Sequence, residues 1–217
     1  MGMKIFIAGA NGGIGRQVVE QALQAGHRVT ALVRDPAKLP VNHSKLHIVQ
    51  GDVMRPEGFA QELAGQDVVV SALGVSGGSL FSDKPTTLYS QGCTNLLAAM
   101  KQYHVERFFC VSASALDISP NLPWFFRLAA KYVIQKLLKN MYADLRVMEG
   151  IVKASHADWT IIRPPRLTDG QMTGRYRMEV NGFLKSGLKI SRADVAHFIL
   201  HHLDDESIYR STVEIAY

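Results

Sequence analysis

Three glycines near the N-terminus have a spacing that suits phosphate binding. The chain reads Gly9-Ala10-Asn11-Gly12-Gly13-Ile14-Gly15, directly after the apolar run Lys4–Ala8 and before a stretch of helical periodicity, Arg16–Ala25. Glycine allows a tight turn between a strand and a helix, and it lets backbone amides approach a pyrophosphate at the positive end of that helix. Because a strand precedes the motif and a helix follows it, we predict that this loop binds a dinucleotide.

Charged residues at the end of the second predicted strand bear on which dinucleotide is bound. Asp35 lies about twenty residues after the loop, where a carboxylate can hold the ribose 2′-hydroxyl of NAD(H). Arg34 and Lys38 lie beside it, and a guanidinium group matches the geometry of the 2′-phosphate of NADP(H), which a carboxylate would repel. We expect NADP(H) to be preferred, because Arg34 and Lys38 together form a basic pocket, and NAD(H) stays the alternative.

Short apolar strands alternate with helices along the chain. This order predicts an α/β fold with a doubly wound parallel sheet that helices cover on both faces. The predicted strands are Lys4–Ala8, Arg28–Val33, Leu46–Gln50, Val68–Ser71, Arg107–Val111, Trp159–Arg163 and Ser211–Ile215. The predicted helices are Arg16–Ala25, Pro56–Leu63, Leu88–Tyr103, a long one from about Trp124 to Ala154, and Arg192–Leu203. We expect residues 1–217 to form a single domain.

Composition and charge limit the class of protein. Hydrophobic residues make up 47% of the 217 residues and charged residues 20%, which is typical of a globular domain. The net charge of +5 is scattered rather than gathered in a tail, so we expect neither nucleic acid nor a membrane as a partner. The N-terminus lacks the features of a signal peptide, and Cys93 and Cys110 are expected to be core thiols. These features predict a cytoplasmic protein.

Several further stretches give the chain a family likeness. They are ALVRDPAKLP from Ala31, GDV from Gly51, GQDVVVSALG from Gly65, KPTTLYSQGCTNLLAAMK from Lys84, CVSA from Cys110, RPPRLTDGQMTGRY from Arg163 and ISRADVAHFIL from Ile190. In their order and spacing they resemble the atypical short-chain dehydrogenases/reductases with an NAD(P)-binding, NmrA-like core, and most closely the biliverdin-IXβ reductase and NADPH flavin reductase group. The resemblance implies one Rossmann domain with the substrate site in its C-terminal part.

The resemblance also implies roles for individual residues. The dinucleotide loop would be formed by Gly9, Asn11, Gly12, Gly13 and Ile14, and the 2′-phosphate pocket by Arg34 and Lys38. Asp52 and Val53 would flank the adenine. The middle of the cofactor would be lined by Ala72, Leu73 and Gly74, the nicotinamide by Ser112, and the substrate side by Pro164, Pro165 and Arg166. The flavin reductases have a histidine after the Pro-Pro pair, whereas this chain has Arg166 at this position, which borders the substrate, so the resemblance leaves the identity of the substrate open.

The sequence leaves open whether a tyrosine acts as the catalytic acid. Many short-chain dehydrogenases use Tyr-x-x-x-Lys, in which the lysine lowers the pKa of the tyrosine. Tyr132 and Lys136 have this spacing, but they lie too early in the chain by comparison with the family. Tyr142 lies in the expected register, with Arg146 in place of the lysine, and arginine supplies only a fixed charge. The candidate catalytic residues are Ser112, Arg166 and Tyr142, and a packing role for Tyr142 is an equal alternative.

The predicted function is that of an NADPH-dependent reductase that transfers a hydride to a conjugated acceptor of flavin, linear tetrapyrrole or quinone type. Such an acceptor would be planar and anionic, which suits Arg166, Arg175 and the positive net charge. The alternatives are a non-catalytic NADP(H)-sensing regulator of NmrA-like type and a nucleotide-sugar epimerase-like enzyme. His197 and His201 have a metal-ligand spacing without further ligands, so no metal is expected. We expect a monomer or a small homo-oligomer.

Overall fold

A computed structural model describes residues 2–75, 85–116 and 138–217 of the chain. In these residues one large sheet has the strand order β3-β2-β1-β4-β5-β6-β10-β8, and β7 pairs with β9 in a small second sheet. The strands are β1 (Lys4–Ala8), β2 (Arg28–Val33), β3 (Leu46–Gln50), β4 (Val68–Ser71), β5 (Arg107–Val111), β6 (Asp158–Arg163), β7 (Arg166–Thr168), β8 (Arg177–Val180), β9 (Lys189–Ser191) and β10 (Ser211–Ala216). All pairs in the large sheet are parallel except β8 with β10.

In the described part of the chain, four α-helices cover this sheet, and each face has its own apolar core. They are α1 (Gly13–Gln24), α2 (Leu88–Tyr103), α3 (Lys139–Lys153) and α4 (Arg192–His201). The strand alternation divides the side chains of β1 between the faces: Ile5 and Ile7 pack in the core under α1 and α4, whereas Phe6 and Ala8 pack in the core under α2 and α3. The fold is therefore the predicted doubly wound α/β fold of Rossmann type.

The reversal of strand order at β1 decides where the site lies. β1 pairs with β2 on one side and with β4 on the other, and the chain winds outward in both directions from there. Ligands of doubly wound sheets bind beyond the carboxyl ends of the strands at such a reversal. The glycine loop follows β1 directly, so the fold places it at this position.

Several predicted helices differ from the observed ones. The stretch Pro56–Leu63 forms two short 3₁₀ turns rather than an α-helix, and the buried Phe59 between them has a φ of −145°, outside the helical range. The first helix begins at Gly13, three residues before its periodic stretch, and the last ends at His201. Of the long helix predicted from Trp124, the structure describes Lys139–Lys153, and the segment 117–137 lies outside the described residues.

Both cysteines are buried thiols, as expected. Cys93 lies on α2 and its Sγ is 3.6 Å from the Oγ of Ser71, while Cys110 lies in β5. Burial raises the pKa of the Cys93 thiol to about 12 and that of Cys110 well above its ordinary value. Both side chains are therefore neutral core residues.

Candidate functional site

The glycine loop makes a turn that side chains would obstruct. Gly9 has a φ of +83°, and a Cβ added to it would lie 2.5 Å from the backbone oxygen of Ala72 at the end of β4. The N–H of Gly12 donates to the oxygen of Gly9 at 2.9 Å and closes the turn. A Cβ on Gly15 would lie 2.8 Å from the carbonyl carbon of Gly9, so the first turn of α1 packs directly on the loop. These contacts bring the ends of β1 and β4 and the start of α1 together.

The N-terminus of α1 presents backbone donors that no side chain of its own satisfies. Gly12 is the N-cap and makes no side-chain cap hydrogen bond, and the first turn holds no acidic residue. Gly12 and Gly13 are exposed, whereas the side chain of Ile14 is buried in the core, so Ile14 can offer only its backbone. Exposed amides at the positive end of a helix favour an anion. The loop therefore fits a phosphate group.

Asn11 links this loop to the end of β2 and keeps one acceptor unused. Its Nδ2 donates to the backbone oxygen of Asp35 at 3.1 Å. Its Oδ1 is buried and has no hydrogen-bond partner among the described residues. A buried acceptor without a donor is unfavourable, and a ligand hydroxyl in the crevice would satisfy it. This atom is a second feature that fits a bound nucleotide.

At the end of β2, the acidic and basic side chains have different freedom. The Asp35 carboxylate accepts a hydrogen bond from the N–H of Ala37 at 3.1 Å and caps the 3₁₀ turn Pro36–Lys38. Its other oxygen lies 3.5 Å from the Nζ of Lys38, whose side chain is 73% exposed. Arg34 is exposed. The carboxylate that could hold a ribose hydroxyl is thus partly engaged, by the turn that it caps and by Lys38, while both cations are largely exposed.

The ends of β3 and β4 form the adjoining wall of the crevice. Val53 is buried, and its carbonyl oxygen accepts from the Nδ2 of Asn95 on α2 at 2.9 Å, while Asp52 caps the following turn through the N–H of Met54. A Cβ on Gly92 of α2 would lie 2.7 Å from Leu73 and 3.2 Å from Val53. Gly92 therefore lets α2 approach this wall, a role that only the packing reveals.

The same wall continues along the end of β4. Ala72 is buried, and its N–H donates to the oxygen of Ala8 at 2.9 Å, which extends the pairing of β4 with β1. Gly74 is exposed two residues later. The residues predicted to line the middle of the cofactor thus follow one strand end, beside the glycine loop. The segment 76–84, which follows shortly after Gly74, lies outside the described residues.

A buried ionic network lies at the ends of β5 and β6. Ser112 follows β5, and its Oγ donates to Oε1 of Glu149 on α3 at 2.7 Å. Arg163, the last residue of β6, donates a hydrogen bond to each oxygen of that carboxylate, from Nε to Oε1 at 2.9 Å and from Nη2 to Oε2 at 2.6 Å. Lys153 adds a contact of 3.1 Å to Oε2 from the surface. Sequence reasoning found Ser112 but missed Glu149, which stands 37 residues away.

The charge of Glu149 determines whether the Ser112 hydroxyl can donate a hydrogen bond to a ligand. Burial by itself raises the pKa of Glu149, but the hydrogen bonds and positive charge of Arg163, with smaller contributions from Ser112 and Lys153, outweigh it and lower the pKa. The carboxylate is therefore ionised at neutral pH and holds the hydroxyl proton of Ser112. In this state Ser112 offers lone pairs rather than a proton to a ligand beyond the strand ends.

Tyr142 lies on the first turn of α3 and is buried in the core under α2 and α3. Burial raises the pKa of its phenol, and the charge of Arg146 lowers it by a smaller amount. The guanidinium of Arg146 donates to the backbone oxygen of Leu116 at 2.6 Å. A tyrosine acid needs a lowered pKa, so these features favour the packing role for Tyr142. Tyr132 and Lys136 lie outside the described residues.

The buried Asp144 lies near the start of α3 and caps the neighbouring helix α2. Asp144 accepts hydrogen bonds from the N–H of Tyr89 at 2.8 Å, from the N–H of Ser90 at 3.3 Å and from the hydroxyl of Ser90. The N-cap residue Thr87 gives α2 no side-chain cap, so Asp144 caps α2 from the neighbouring helix. This contact fixes α2, and with it Tyr89, whose Oη accepts from the N–H of Val75 at the end of the cofactor wall.

The predicted substrate side is built on β7 and β9. Pro164 is buried after β6 and Arg166, the first residue of β7, is exposed. Asp194 is fully buried beneath this region, and its carboxylate accepts from the N–H groups of Thr173 and Gly174, both at 2.8 Å. The N–H of Asp194 itself donates to the capping hydroxyl of Ser191. Asp194 thus lies in the first turn of α4 and also holds the loop between β7 and β8.

Two further features are the histidine pair with metal-ligand spacing and the question of a membrane-spanning helix. The imidazole Nδ1 of His197 lies 2.9 Å from the Oη of Tyr176, and its ring stacks on that of His201. Among the residues that the structure describes, no group of three histidine, cysteine or acidic side chains is arranged to hold a metal ion. In the same residues, no helix combines the length and the apolar character that crossing a membrane requires.

Known proteins share this chain's fold and sequence features. YhfK of Bacillus subtilis, described as an uncharacterized sugar epimerase, is 31% identical over 94% of this chain and 90% of its own length. A short-chain dehydrogenase/reductase (wide type) of Veillonella parvula, solved in complex with NADP, matches with a TM-score of 0.82 at 19% identity, over 100% of this chain and 95% of that one. ChuY, an anaerobillin reductase from Escherichia coli O157:H7, matches with a TM-score of 0.75 at 19% identity, over 98% and 96%.

The two solved structures, at their low identities, establish the fold alone. A family model described as NAD(P)H-binding matches residues 9–206, which include the glycine loop, the network at Ser112 and the loop held by Asp194. Because this match covers most of the chain, and the strand order and the glycine turn agree with it, the chain belongs to the NAD(P)H-binding family.

Proposed function

We propose that this protein is an NADPH-dependent reductase whose acceptor is a planar, conjugated and anionic molecule of flavin, linear tetrapyrrole or quinone type. The bound nicotinamide would supply the hydride. The residues of this chain would hold the dinucleotide along the glycine loop and the ends of β2, β3 and β4. They would also align the acceptor beyond the ends of β5 and β6.

The preference for NADPH rests on the residues that follow β2. The Asp35 carboxylate already accepts from the N–H of Ala37 and lies near Lys38, so fewer of its lone pairs are left for a ribose hydroxyl. Arg34 is exposed and Lys38 is mostly so, and a phosphate would draw both. The structural neighbour from Veillonella parvula, which was solved with NADP, is consistent with this choice.

The observation that carries the reductase proposal is the hydrogen bond from Ser112 to the ionised Glu149. Ser112 would accept a hydrogen bond from the nicotinamide carboxamide or from the substrate, and it would not release a proton. Tyr142 is buried with a raised pKa, so neither of the two candidate acids is suited to protonate an isolated carbonyl. A conjugated acceptor spreads the incoming electrons over its ring system and can take its proton from solvent, which removes the need for a protein acid.

Two exposed arginines on the substrate side support an anionic acceptor. Arg166 is exposed at the start of β7, and Arg175 is exposed in the loop that Asp194 fastens. Guanidinium groups bind carboxylate and phosphate groups in a bidentate way. A propionate or a phosphate on the acceptor would therefore be held on this side, while its ring lies against the nicotinamide.

The test is NADPH oxidation by the purified protein with FMN, a biliverdin or a quinone, with NADH as a parallel donor. We expect saturable turnover with NADPH. In Arg34→Ala, the KM for NADPH should rise about ten- to a hundredfold, the loss expected for one charge-assisted hydrogen-bonded pair, while the KM for NADH stays the same. Arg28→Ala is the matched control, because Arg28 is an exposed arginine at the opposite end of the same strand. Tight NADPH binding without turnover on any acceptor would instead indicate the sensing regulator.

A second candidate, a nucleotide-sugar epimerase-like activity, is favoured by the 31% identity to YhfK. Such chemistry needs a tyrosine that exchanges a proton with the sugar. The deciding comparison is turnover of nucleotide sugars by the wild-type protein and by Tyr142→Phe. Epimerisation that is lost in this variant would replace the reductase proposal.

A further inference from the structure

Arg192 lies across the N-terminus of α1, although it belongs to a different helix. It is the first residue of α4, after the N-cap Ser191, and α4 packs beside α1. The space that a Gly13 side chain would fill is occupied by the Cδ of Arg192 and by its Nε, which lies 2.6 Å from the position of the missing Cβ. Gly13 therefore admits a long cation, as well as a phosphate, to the glycine loop.

The surroundings of this guanidinium favour a bound anion. A cation at the positive end of a helix is repelled by the helix dipole, and the first turn of α1 carries no acidic residue to offset this. The Nη1 of Arg192 pairs with Oδ1 of Asp169 at 2.5 Å. The Asp169 side chain is 90% exposed and that of Arg192 only 30%, so the pair is a surface ion pair that contributes little to stability.

We propose that Arg192 binds the pyrophosphate of the dinucleotide and exchanges Asp169 for a phosphate oxygen when the cofactor binds. The N–H groups of the glycine loop and the guanidinium of Arg192 would then approach the pyrophosphate from two helices. This inference rests on the dinucleotide-binding part of the proposed function and not on the identity of the acceptor. Arg192 acts on the group that NADPH and NADH share, whereas Arg34 acts on the 2′-phosphate alone.

The test is calorimetric titration of the protein with NADPH and with NADH, without an acceptor. For Arg192→Ala we expect the Kd of both dinucleotides to rise by the same factor, about tenfold or more, so that the ratio of the two Kd values is unchanged. Arg34→Ala should raise only the Kd of NADPH. Arg192→Lys should lie between the wild type and Arg192→Ala, because it keeps the charge and loses the bidentate fork. Arg210→Ala is the control, since this exposed arginine pairs with Asp158 at the opposite edge of the sheet.

Asp169→Asn separates binding from a structural role. If Asp169 competes with the cofactor for Arg192, its removal should lower both Kd values by about two- to fivefold, in the opposite direction to Arg192→Ala. If the ion pair of Arg192 with Asp169 served only to stabilise the chain near β7, Arg192→Ala and Asp169→Asn would both raise the Kd values. That result, or Kd values for Arg192→Ala within about twofold of the wild type, would overturn the proposal. Failure of the wild-type protein to bind either dinucleotide would instead overturn the proposed function itself.

Discussion

Replacing Glu149 by glutamine should destabilise the protein by about 3 kcal/mol, the lower end of the range for breaking a buried ion pair. Glu149 is only 4% exposed, and its carboxylate accepts two hydrogen bonds from Arg163 and one from Ser112. The amide keeps the size of the side chain but loses the charge and one acceptor, while the Arg163 guanidinium stays buried. We choose the lower end because the amide oxygen of glutamine can still accept a hydrogen bond from Arg163.

Urea unfolding at neutral pH measures this loss, from the midpoint at an unchanged m-value. The control is Lys153→Met: its side chain is 44% exposed, so losing the contact with Glu149 should change stability by less than about 1 kcal/mol. The double variant Glu149→Leu with Arg163→Met should be closer to the wild type than Glu149→Leu alone, because an apolar pair of similar volume leaves no buried charge. A loss below about 1 kcal/mol in Glu149→Gln, or an equal loss in Lys153→Met, would refute the reasoning.

Lowering the pH should reduce the difference in unfolding free energy between the wild type and Glu149→Gln. Folding lowers the pKa of Glu149, so the wild type gains stability from this group above its unfolded pKa and loses it as the pH falls through the lower folded value. The difference in unfolding free energy should therefore be full at neutral pH and shrink below about pH 4. A gap that stays constant across that range would mean that the charge of Glu149 is not what stabilises the network.

Three further variants test individual contacts. Asp144→Ala removes the cap of α2 and should cost about 2 kcal/mol in urea unfolding, more than an exposed cap would, because Asp144 is buried. Gly9→Ala should lower the thermal midpoint and weaken dinucleotide binding, because the added Cβ meets the oxygen of Ala72 at a positive φ, a strain of about 1–3 kcal/mol. Tyr142→Phe should leave any NADPH-dependent reductase activity within about twofold of the wild type, because a buried phenol with a raised pKa does not transfer the proton; a hundredfold loss would identify it as the acid.

The sequence predicted most strands to within a residue, and the reason is local. β1 to β5 have the predicted bounds because each is a short apolar run bounded by polar or turn residues, and this signal depends only on neighbours along the chain. The helix predicted for Pro56–Leu63 was wrong because a tertiary contact outweighs the local signal there. Its spacing suits a helix, but burying Phe59 under α2 is worth more than the intrinsic preference of so short a segment.

The glycine loop is the part of the site that the sequence determined by itself. Its spacing, its strand before and its helix after restrict the backbone to one turn, and the structure places Gly9 and Gly12 in that turn and Gly15 in the helix that packs on it. The basic residues after β2 were found in the same way. Their preference for NADP(H) over NAD(H) stays a prediction, and it draws on the turn that Asp35 caps.

The tertiary structure decided which side chains act together. Glu149 meets Ser112 across 37 residues, and Asp144 caps α2 from 55 residues away. Arg192 crosses Gly13 from a helix near the other end of the chain. No periodicity or spacing encodes these pairs, because the parallel sheet brings the carboxyl ends of distant strands to one edge and packs the following helices against each other. The sequence by itself determined a dinucleotide loop at the end of β1, and the packing of α3 and α4 on that sheet decided which charges surround it.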